Sequence, residues 1–322
     1  MKLTIILPVY NNEKTIDDCL KSIFEQDFPK KDFEVLFIDG SSDRTWEISK
    51  KYPVKRIPIS KIPNSSNNEE FKRIWGIKHA KGEIIAFIDA DNVLVDKDWI
   101  KKMLGPFKDK EIAFVDTLYY DYRKNDKIGV KYQALIGGDD PLALYLGLYS
   151  RWSYLNNDWT DYPHKDEDKG NYIKSELLDK QKVPPMGSNG FLVRTKIARK
   201  FITDSFIHSD FVYELVNSGH NCFAKVKTGI VHNQPQFFPN KVRRIKRRLT
   251  NEVKIKYDYG IKKSDMIKTV TYICLVIPVL YDTLRGFVKK PCFAWFFHPV
   301  ACFGELFLHG YYPLKKKLGF KI

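Results

Sequence analysis

The first 95 residues alternate between short apolar runs and segments with the periodicity of amphipathic helices. The apolar runs are LTIILPVY, FEVLFID, VKRIPI and EIIAFIDADN. Between the first two lies NNEKTIDDCLKSIFEQ, in which apolar residues recur at helical spacing and the opposite face is polar. Strands that alternate with helices pair in parallel through right-handed crossovers. The sequence therefore predicts an α/β fold in which a mostly parallel sheet is flanked by helices.

Polar clusters follow three of these predicted strands at the point where each strand ends. They are PVYNNE, DGSSD and DADN. In a sheet of this kind, ligands bind in the crevice beyond the carboxyl ends of the strands. We therefore expect the three clusters to line one ligand site.

The third cluster contains two carboxylates, Asp89 and Asp91, separated by one residue. In an extended segment alternate side chains point to the same side, so these carboxylates would repel each other unless a cation lies nearby. Oxygen ligands suit Mg²⁺ or Mn²⁺, ions that keep some waters and take phosphate oxygens as further ligands. Asp89 and Asp91 are therefore candidate ligands of a metal ion that also binds phosphate. The alternative is a solvated turn after a strand.

The chain is basic, with 54 Lys and Arg against 39 Asp and Glu in 322 residues and a formal net charge of +15. Such a charge favours anionic partners, namely nucleic acid, nucleotide phosphates or an acidic membrane surface. The five cysteines are widely spaced and form no CxxC pair, which argues against a disulfide framework or a zinc site and fits a reducing compartment. The N-terminal MKLTIILPVY predicts a buried first strand and not a signal peptide, because its short apolar stretch runs directly into polar residues.

Residues 3–95 resemble the family 2 glycosyltransferases of the GT-A fold, a Rossmann-like α/β architecture. The resemblance rests on ILPVYNNEKTIDDCLKSIFEQ, FIDGSSDRT and RIWGIKHAKGEIIAFIDADN, in this order and at this spacing, and looser matches extend it to about residue 260. It implies that a sugar is transferred from a nucleotide donor, UDP or GDP, with inversion at the anomeric carbon and with Mg²⁺ or Mn²⁺ as cofactor.

By motif position, the resemblance also implies donor-binding roles in the first half of the chain. The implied residues are Pro8, Tyr10 and Glu13 in the nucleoside pocket, Asp39 at the base, Arg73 at the donor phosphate, Asp89 near the ribose or the metal, and Asp91 as the metal ligand that bridges to the diphosphate. Two positions depart from the family pattern: Ile38 replaces an acidic residue that often precedes Asp39, and Ile74 replaces the Asn that usually follows Arg73. A packed ring, a helix-capping turn and a solvated helix charge are the alternatives for Tyr10, Asp39 and Arg73.

The glycine-rich turn MGSNGFLVRT follows a polar stretch, TDYPHKDEDKGNYIKSE, that predicts a surface excursion. By the resemblance, Ser188 and Asn189 of this turn are candidate sugar contacts. The alternative is a structural turn in which Gly187 and Gly190 adopt backbone angles that other residues avoid.

The stretch FIHSDFVYELVNSGHNC holds two candidates for the catalytic base, the group that takes the proton of the acceptor hydroxyl in an inverting transfer. The position of the family's usual base falls on His208, and the family's second acidic position falls on Asp210. Both residues are candidates, with capping of a helix N-terminus as the alternative. Further along, His232 at the end of a predicted strand is a candidate contact of the metal or the diphosphate, or a lone surface histidine.

From residue 241 the chain becomes basic and then apolar. KVRRIKRRLTNEVKIK, at 241–256, carries Lys and Arg on a helical pattern without a zinc-finger, homeodomain or RNA-binding signature, so a nucleic-acid partner is not expected. The apolar segments that follow fall short of the ~20 residues of a transmembrane helix. Their aromatic and basic flanks are typical of helices that lie in a membrane interface. Cover for the catalytic domain or an oligomer interface is the alternative.

Together these features predict two regions. Residues 1–240 would form a GT-A catalytic domain, with a nucleotide-binding half in 1–95 and an acceptor and catalytic half in 96–240, and residues 241–322 would form helices at a membrane interface. We expect a glycosyltransferase on the cytoplasmic face of the cell membrane, peripheral or monotopic, whose acceptor is a glycan or a lipid-linked group such as a polyprenyl phosphate. A non-catalytic nucleotide-sugar-binding or scaffold protein is the alternative.

Overall fold

The computed structural model describes residues 1–63, 65–202, 207–233, 237–250, 257 and 259–320. Its strands, in chain order, are β1 (Leu3–Val9), β2 (Phe33–Asp39), β3 (Lys55–Pro58), β4 (Ile84–Phe87), β5 (Asn92–Leu94), β6 (Phe114–Asp121), β7 (His164–Asp168), β8 (Tyr172–Leu177), β9 (Phe191–Arg194) and β10 (Cys222–His232). Its helices are α1 (Ile16–Phe24), α2 (Thr45–Ser49), α3 (Glu69–His79), α4 (Trp99–Leu104), α5 (Ile128–Ile136), α6 (Pro141–Tyr145), α7 (Thr195–Phe201), α8 (His208–Asn217), α9 (Phe237–Leu249), α10 (Lys263–Cys274), α11 (Ile277–Lys289) and α12 (His298–Lys317).

The described strands form one mixed sheet in the order β3-β2-β1-β4-β9-β6-β10-β8-β7, with β5 paired to β10. Strands β3, β2, β1 and β4 are parallel. Strand β9 runs antiparallel to β4 and to β6, and β10 runs antiparallel to β5 and to β8. The predicted α/β architecture with flanking helices is confirmed, and its parallel part is built by the first four strands.

The register of the parallel strands decides where the polar clusters lie. Val9 at the end of β1 pairs with Asp39 at the end of β2, and Ile6 of β1 pairs with Phe87 at the end of β4. All of β1 is buried, as expected for a continuous apolar run that is covered on both faces. The carboxyl ends of β1, β2 and β4 therefore open at the same edge of the sheet, as the sequence predicted.

The stretch predicted as a polar surface excursion is a hairpin. Strands β7 and β8 pair antiparallel with Asp168 opposite Ile173, and the turn between them contains Gly170. Four of the five residues of β7 are exposed, so the hairpin is an edge of the sheet that carries charged side chains, a common protection of edge strands.

The chain forms two compact units: the first comprises Met1–Tyr119 and Pro163–Asn233, and the second comprises Tyr120–Tyr162 and Gln234–Ile322. The predicted boundary at residue 240 does not follow this division, because residues 120–162 belong with the C-terminal helices. The reason is a shared apolar cluster in which Tyr132, Leu135 and Tyr149 pack with Trp295 and Ala301.

The C-terminal region is helical, as predicted. The predicted basic helix over 241–256 corresponds to α9, and residues 251–256 lie outside the described residues. Within the part of the chain that the structure describes, no single helix has the length and apolar composition to cross a membrane. Helices α10 and α11, which meet at a bend of 82°, satisfy those two criteria only as a pair.

Candidate active site

The loops that follow β1 and β2 are joined by hydrogen bonds. The backbone N–H of Asn11 donates to Ser41 Oγ at 3.0 Å, and the backbone N–H of Ser42 donates to Asn11 Oδ1 at 2.9 Å. The backbone N–H of Asn12 donates to Thr45 Oγ1 at 2.8 Å. Asn11 has a φ of 53°, a left-handed conformation that Asn tolerates better than most residues. These contacts hold the first two polar clusters together.

Asp39 lies at the base of these loops with a nearly fully buried side chain. One carboxylate oxygen accepts from the Ser41 N–H at 2.9 Å. The other accepts from Arg56 Nε at 2.9 Å, and the Arg56 guanidinium lies 4.2 Å from the Trp46 ring centroid. A base bound at Asp39, as predicted, would share this carboxylate with Arg56, a residue that the sequence did not single out.

The other residues predicted to line the nucleoside pocket differ in exposure. Pro8 is buried within β1, whereas the Tyr10 side chain is 54% exposed at the strand end. Glu13 lies 3.7 Å from Arg44, and its backbone N–H donates to Asp43 Oδ2 at 3.3 Å. Tyr10 therefore offers an open aromatic face at the edge where the loops meet.

Two consecutive cations of α3, Lys72 and Arg73, reach two neighbouring strand ends. The buried Lys72 ammonium donates to the backbone O of Val9 at 2.6 Å and lies 5.6 Å from the Tyr10 ring centroid. The buried Arg73 guanidinium donates to Asp89 Oδ1 at 2.6 Å. Burial lowers the pKa of Lys72 to about 8. Burial would also lower the pKa of Arg73, but the nearby carboxylates, first Asp89, raise it.

Lys72 was not predicted, although the sequence carries a weak signal for it. A lysine inside an amphipathic helix is usually a solvated charge. However, Gly76 lies four residues later on the same face of α3, and a Cβ at Gly76 would come within 2.7 Å of Ile6 Cγ2. The missing side chain lets α3 lie close to β1, which places Lys72 against the end of that strand.

The turn after β4 holds the two predicted metal-binding carboxylates in different surroundings. Asp89 is bound by Arg73, whereas Asp91 Oδ2 lies 3.5 Å from His232 Nε2. His232 is brought there by the pairing of β10 with β5, in which it lies opposite Asn92. The backbone N–H of Asn233 also donates to the backbone O of Asp91 at 2.8 Å.

Asn92 fixes the shape of this turn and was missed as an organising residue. It is fully buried. Its Oδ1 accepts from the Asp89 N–H at 3.0 Å, and its Nδ2 donates to Asp91 Oδ1 at 3.3 Å and to Asn189 Oδ1 at 2.9 Å. Asn92 thus joins the turn that carries Asp89 and Asp91, called the carboxylate turn below, to the glycine-rich turn.

The residues present fit a divalent cation in part. A carboxylate oxygen of Asp91 and an imidazole nitrogen of His232 lie 3.5 Å apart. Carboxylate suits Mg²⁺ and Mn²⁺, whereas imidazole is more typical of softer ions such as Zn²⁺. Asp89, the third predicted ligand, is turned towards Arg73. Among the residues that the structure describes, no group of three or more His, Cys, Asp or Glu side chains is arranged as a metal site. The three predicted metal ligands remain a prediction, with Asp91 and His232 best placed for the role.

The glycine-rich turn has the backbone angles predicted for it. Gly187 has a φ of 109° and Gly190 a φ of 89°. Asn189, at a φ of 52°, is buried and engaged with Asn92, and its Nδ2 donates to Ser188 Oγ at 3.3 Å. In this conformation Asn189 supports the carboxylate turn, and the predicted sugar contacts of Ser188 and Asn189 remain predictions.

The two candidate bases lie in the first turn of α8. His208 is the first residue of the helix, and Asp210 follows two residues later. The backbone of His208 packs against Gly187, where an added Cβ would lie 2.6 Å from the His208 carbonyl oxygen. The start of α8 is therefore adjacent to the glycine-rich turn, and the base roles of His208 and Asp210 remain predictions.

Comparison with known proteins found two relatives that are similar to part of this chain. A Staphylococcus aureus protein, poly(ribitol-phosphate) beta-N-acetylglucosaminyltransferase TarS, is 38% identical over 159 residues, which are 49% of this chain and 25% of that protein. A Methanococcus voltae protein is 32% identical over 115 residues, which are 33% of this chain and 34% of that protein. Its name is dolichyl N-acetyl-alpha-D-glucosaminyl phosphate 3-beta-D-2,3-diacetamido-2,3-dideoxy-beta-D-glucuronosyltransferase. The chain thus matches a quarter to a third of the length of these relatives.

Among solved structures, glucosyl-3-phosphoglycerate synthase from Mycobacterium tuberculosis, in complex with Mn²⁺, uridine diphosphate and glucosyl-3-phosphoglycerate, has a similar fold. The TM-score is 0.50 at 15% sequence identity, over 79% of this chain and 81% of that chain. The model of the family described as glycosyl transferase family 2 matches residues 4–200, which is more than half of the chain. The chain therefore belongs to glycosyl transferase family 2.

Proposed function

We propose that this chain is an inverting glycosyltransferase that moves a sugar from a UDP or GDP donor to a hydroxyl acceptor. The observation that carries the proposal is the pair of carboxylates after β4, with Arg73 on Asp89 and His232 on Asp91. They lie at the sheet edge where the loops after β1 and β2 are joined. A nucleotide sugar needs a nucleoside pocket beside a site that stabilises its diphosphate, and we assign both to this edge.

The residues of the edge suit a leaving group that gains negative charge. The buried cations of Lys72 and Arg73 supply fixed positive charge without rearrangement, which is the most effective form of electrostatic stabilisation. The Nε of Arg73 is buried and finds no hydrogen-bond acceptor among the described residues. Asp91 and His232 would hold Mg²⁺ or Mn²⁺, which when bound neutralises charge on a departing diphosphate.

The acceptor side of the reaction falls to the start of α8. An inverting displacement needs a base opposite the leaving group that takes the proton of the acceptor hydroxyl. Asp210 or His208 would perform this step, and the contact between Gly187 and His208 fixes the start of the helix. The Asn92–Asn189 hydrogen bond keeps the carboxylate turn and the glycine-rich turn in register.

The nature of the acceptor is proposed from the relatives and from the C-terminal surface. One relative is named for transfer to poly(ribitol-phosphate) and another for a dolichyl phosphate-linked sugar. Large apolar side chains are exposed along α10, α11 and α12. We infer that the acceptor is a lipid-linked glycan or a polyprenyl phosphate and that the chain works at the cytoplasmic face of the cell membrane, as a peripheral or monotopic protein.

Replacing the proposed metal ligand tests the reaction. We expect Asp91→Asn to lower metal-dependent hydrolysis of the nucleotide sugar by about 100-fold or more, the scale of losing a charge-stabilising group. The assay is release of nucleoside diphosphate with Mn²⁺ and a panel of UDP and GDP sugars. Asp98→Asn is the matched control, because Asp98 is half-exposed and pairs with Lys102 at 3.0 Å. A fully active Asp91→Asn enzyme would exclude the metal role of Asp91.

Separate variants test the base. Asp210→Asn and His208→Ala are each compared for glycosyl transfer and for binding of the donor, and we expect one of them to lose transfer while donor binding is kept. If both variants transfer at the wild-type rate, neither residue is the base. If the wild-type chain binds a nucleotide sugar but never turns it over with any acceptor or water, a non-catalytic binding protein is the better description.

A further inference from the structure

We propose that α10 and α11 form a bent helix pair whose corner, called the tip below, inserts into one leaflet of an anionic phospholipid bilayer. The proposal rests on the membrane location proposed above and deepens it by naming the inserted segment. The tip comprises the break between the two helices, residues 275–276, and the first residue of α11, Ile277. Its three side chains, Leu275, Val276 and Ile277, are large, apolar and consecutive, and they are 61%, 42% and 77% exposed.

The exposed surface around the tip is apolar without interruption by charge. The exposed large side chains here are Val270, Leu275, Val276, Ile277, Leu280, Tyr281 and Leu284. Between residues 269 and 284 the only charged residue is Asp282, and it is 2% exposed. A contiguous apolar surface of this kind is unusual on a water-soluble domain and marks an interaction site.

The bent helix pair is bound to the rest of the fold through its inner side, which leaves the outer side to be covered. Asp282 Oδ2 accepts from the hydroxyls of Tyr145 and Tyr272, each at 2.9 Å, and Asp282 Oδ1 pairs with Arg285 at 3.1 Å. Ile273 and Val279, one on each helix, are buried in a small apolar cluster. The one acidic residue of the segment and its inward apolar side chains are thus satisfied within the fold.

The shape of the bent helix pair limits how far it can enter a bilayer. Helix α10 has 12 residues, a length of about 18 Å, against a hydrocarbon core of about 30 Å. The bend of 82° sets α11 nearly at right angles to α10, so the pair does not run straight across a bilayer. Val276 adopts a φ of 63° at the bend, a conformation that β-branched residues rarely take and that persists only where the surrounding structure enforces it. The geometry therefore fits a dip into one leaflet.

The charges that flank the apolar surface decide between a bilayer and a second copy of the chain. Lys262, Lys263 and Lys268 precede it together with one acid, Asp265, and Arg285, Lys289 and Lys290 follow it, with Arg285 paired to Asp282. Anionic headgroups would pair with these cations while the tip enters the acyl region. Two copies that met through this surface would instead bring one net positive charge against another, so we assign the surface to an anionic bilayer.

Cys274, an exposed residue beside the tip, allows a direct test. Cys222→Ser and Cys292→Ser leave it as the one accessible thiol, because Cys19 and Cys302 are buried. An environment-sensitive fluorophore is attached to Cys274, and vesicles of phosphatidylcholine with phosphatidylglycerol are added. We expect a blue shift of its emission and quenching by lipids that carry a nitroxide on the acyl chain. A fluorophore on Leu178→Cys, an exposed position of the first unit, in a chain whose Cys274 is Ser, should show neither change.

Substitution at the tip tests which residues insert. We expect Leu275→Ser with Ile277→Ser to reduce partition into these vesicles by about tenfold or more, because two exposed apolar side chains lose their transfer to hydrocarbon. Three outcomes would each overturn the proposal. They are unchanged emission at Cys274, quenching only by lipids labelled at the headgroup, and a dimer in solution that dissociates when the tip is substituted.

Hydrolysis of the nucleotide sugar in solution separates this proposal from the proposed function. The tip belongs to the second unit and the carboxylate turn to the first, so the tip variant should keep wild-type hydrolysis. A chain that inserts into vesicles but never turns over a nucleotide sugar would contradict the proposed function and still support the insertion of the tip.

Discussion

At the scale of single residues, Lys72 is the side chain that changes the interpretation of the site most. It is fully buried, its ammonium donates to the end of β1, and burial lowers its pKa to about 8. A cation that loses its proton near pH 8 makes the charge at this edge of the sheet sensitive to pH. Arg73, whose pKa is raised, keeps its charge through the same range.

We expect donor affinity to depend on pH through Lys72. As pH rises through about 8, the free enzyme loses this positive charge, so the affinity for a nucleoside diphosphate should fall between pH 7 and pH 9. Lys72→Met should weaken binding about tenfold or more at pH 7, the scale of a charge-assisted hydrogen bond, and remove this dependence. Isothermal titration calorimetry from pH 6.5 to pH 9.5 measures it.

The matched control for that experiment is Lys78→Met, an exposed lysine in the last turn of the same helix. It should retain the wild-type affinity and its pH dependence. An affinity that is flat with pH in the wild-type chain would show that the ammonium of Lys72 does not act on the donor.

The sequence predicted the positions of the site carboxylates because strand ends follow from apolar periodicity. Asp89 and Asp91 lie where that reasoning placed them, after β4 and beside the polar loops. The partners of these carboxylates could not be predicted in the same way. The hydrogen bond from Asn92 to Asn189 joins residues 97 positions apart, and it depends on a positive φ at Asn189 that propensities do not specify.

At the scale of secondary-structure elements, the glycine-rich turn and α8 depend on each other. Gly187 has a φ of 109°, and its Cα faces the backbone of His208 so closely that no side chain fits. Gly170, in the β7–β8 turn, has a φ of 80° but has open space around its Cα. A side chain added at Gly170 would therefore meet backbone strain alone, whereas one added at Gly187 would meet both backbone strain and a steric clash.

We expect Gly170→Ala to lower the free energy of unfolding by about 1–2 kcal/mol, the cost of a left-handed conformation for Ala. Gly187→Ala should cost about 1–3 kcal/mol more, because the added methyl also displaces the start of α8. Urea denaturation of both variants gives the difference. Equal losses in the two variants would mean that α8 accommodates the methyl group freely.

The elements also show where sequence periodicity fails. Strand β1 was predicted well because all seven of its residues are buried. The β7–β8 hairpin was predicted as a polar excursion because β7 reads HKDED, without alternation of apolar and polar residues. Its strands are held by main-chain pairing and by contacts such as Lys227 with Asp168 at 2.7 Å, which leave no apolar pattern in the sequence.

At the scale of the whole molecule, the division into two units was the least predictable property. Basic charge and apolar composition change sharply near residue 241, and that change suggested the boundary. Residues 120–162 nevertheless fold with the C-terminal helices, because Tyr132 and Tyr149 share a buried cluster with Trp295. Composition along a chain cannot show such a contact between segments that are distant in sequence.

Global stability should vary with pH through the fully buried Glu305, which lies 3.7 Å from Lys241 and 3.7 Å from His309. Burial raises the pKa of Glu305 from 4.5 to about 7. The folded chain therefore binds more protons than the unfolded chain between these values, and this contribution to stability is lost as pH rises through that window. Relative to Glu305→Gln, the wild-type chain should lose on the order of 1–3 kcal/mol between pH 5 and pH 7.5.

Denaturant midpoints of both chains across that range measure this difference. The exposed Glu47, paired with Lys50 at 2.7 Å, provides the control, since Glu47→Gln should leave the profile unchanged. Parallel profiles for the wild type and Glu305→Gln would show that Glu305 stays ionised in the folded chain at pH 5.

The chain from α8 to the end of β10 is one uninterrupted piece with a candidate base at its first and third residues, His208 and Asp210, and His232 at its last. A single recombination event that exchanged this segment would replace both candidate bases and the imidazole beside Asp91 together. The residues predicted to line the nucleoside pocket precede this segment in the sequence and would be unchanged. Such modularity offers evolution, or an engineer, a short route to new acceptors while the donor is conserved.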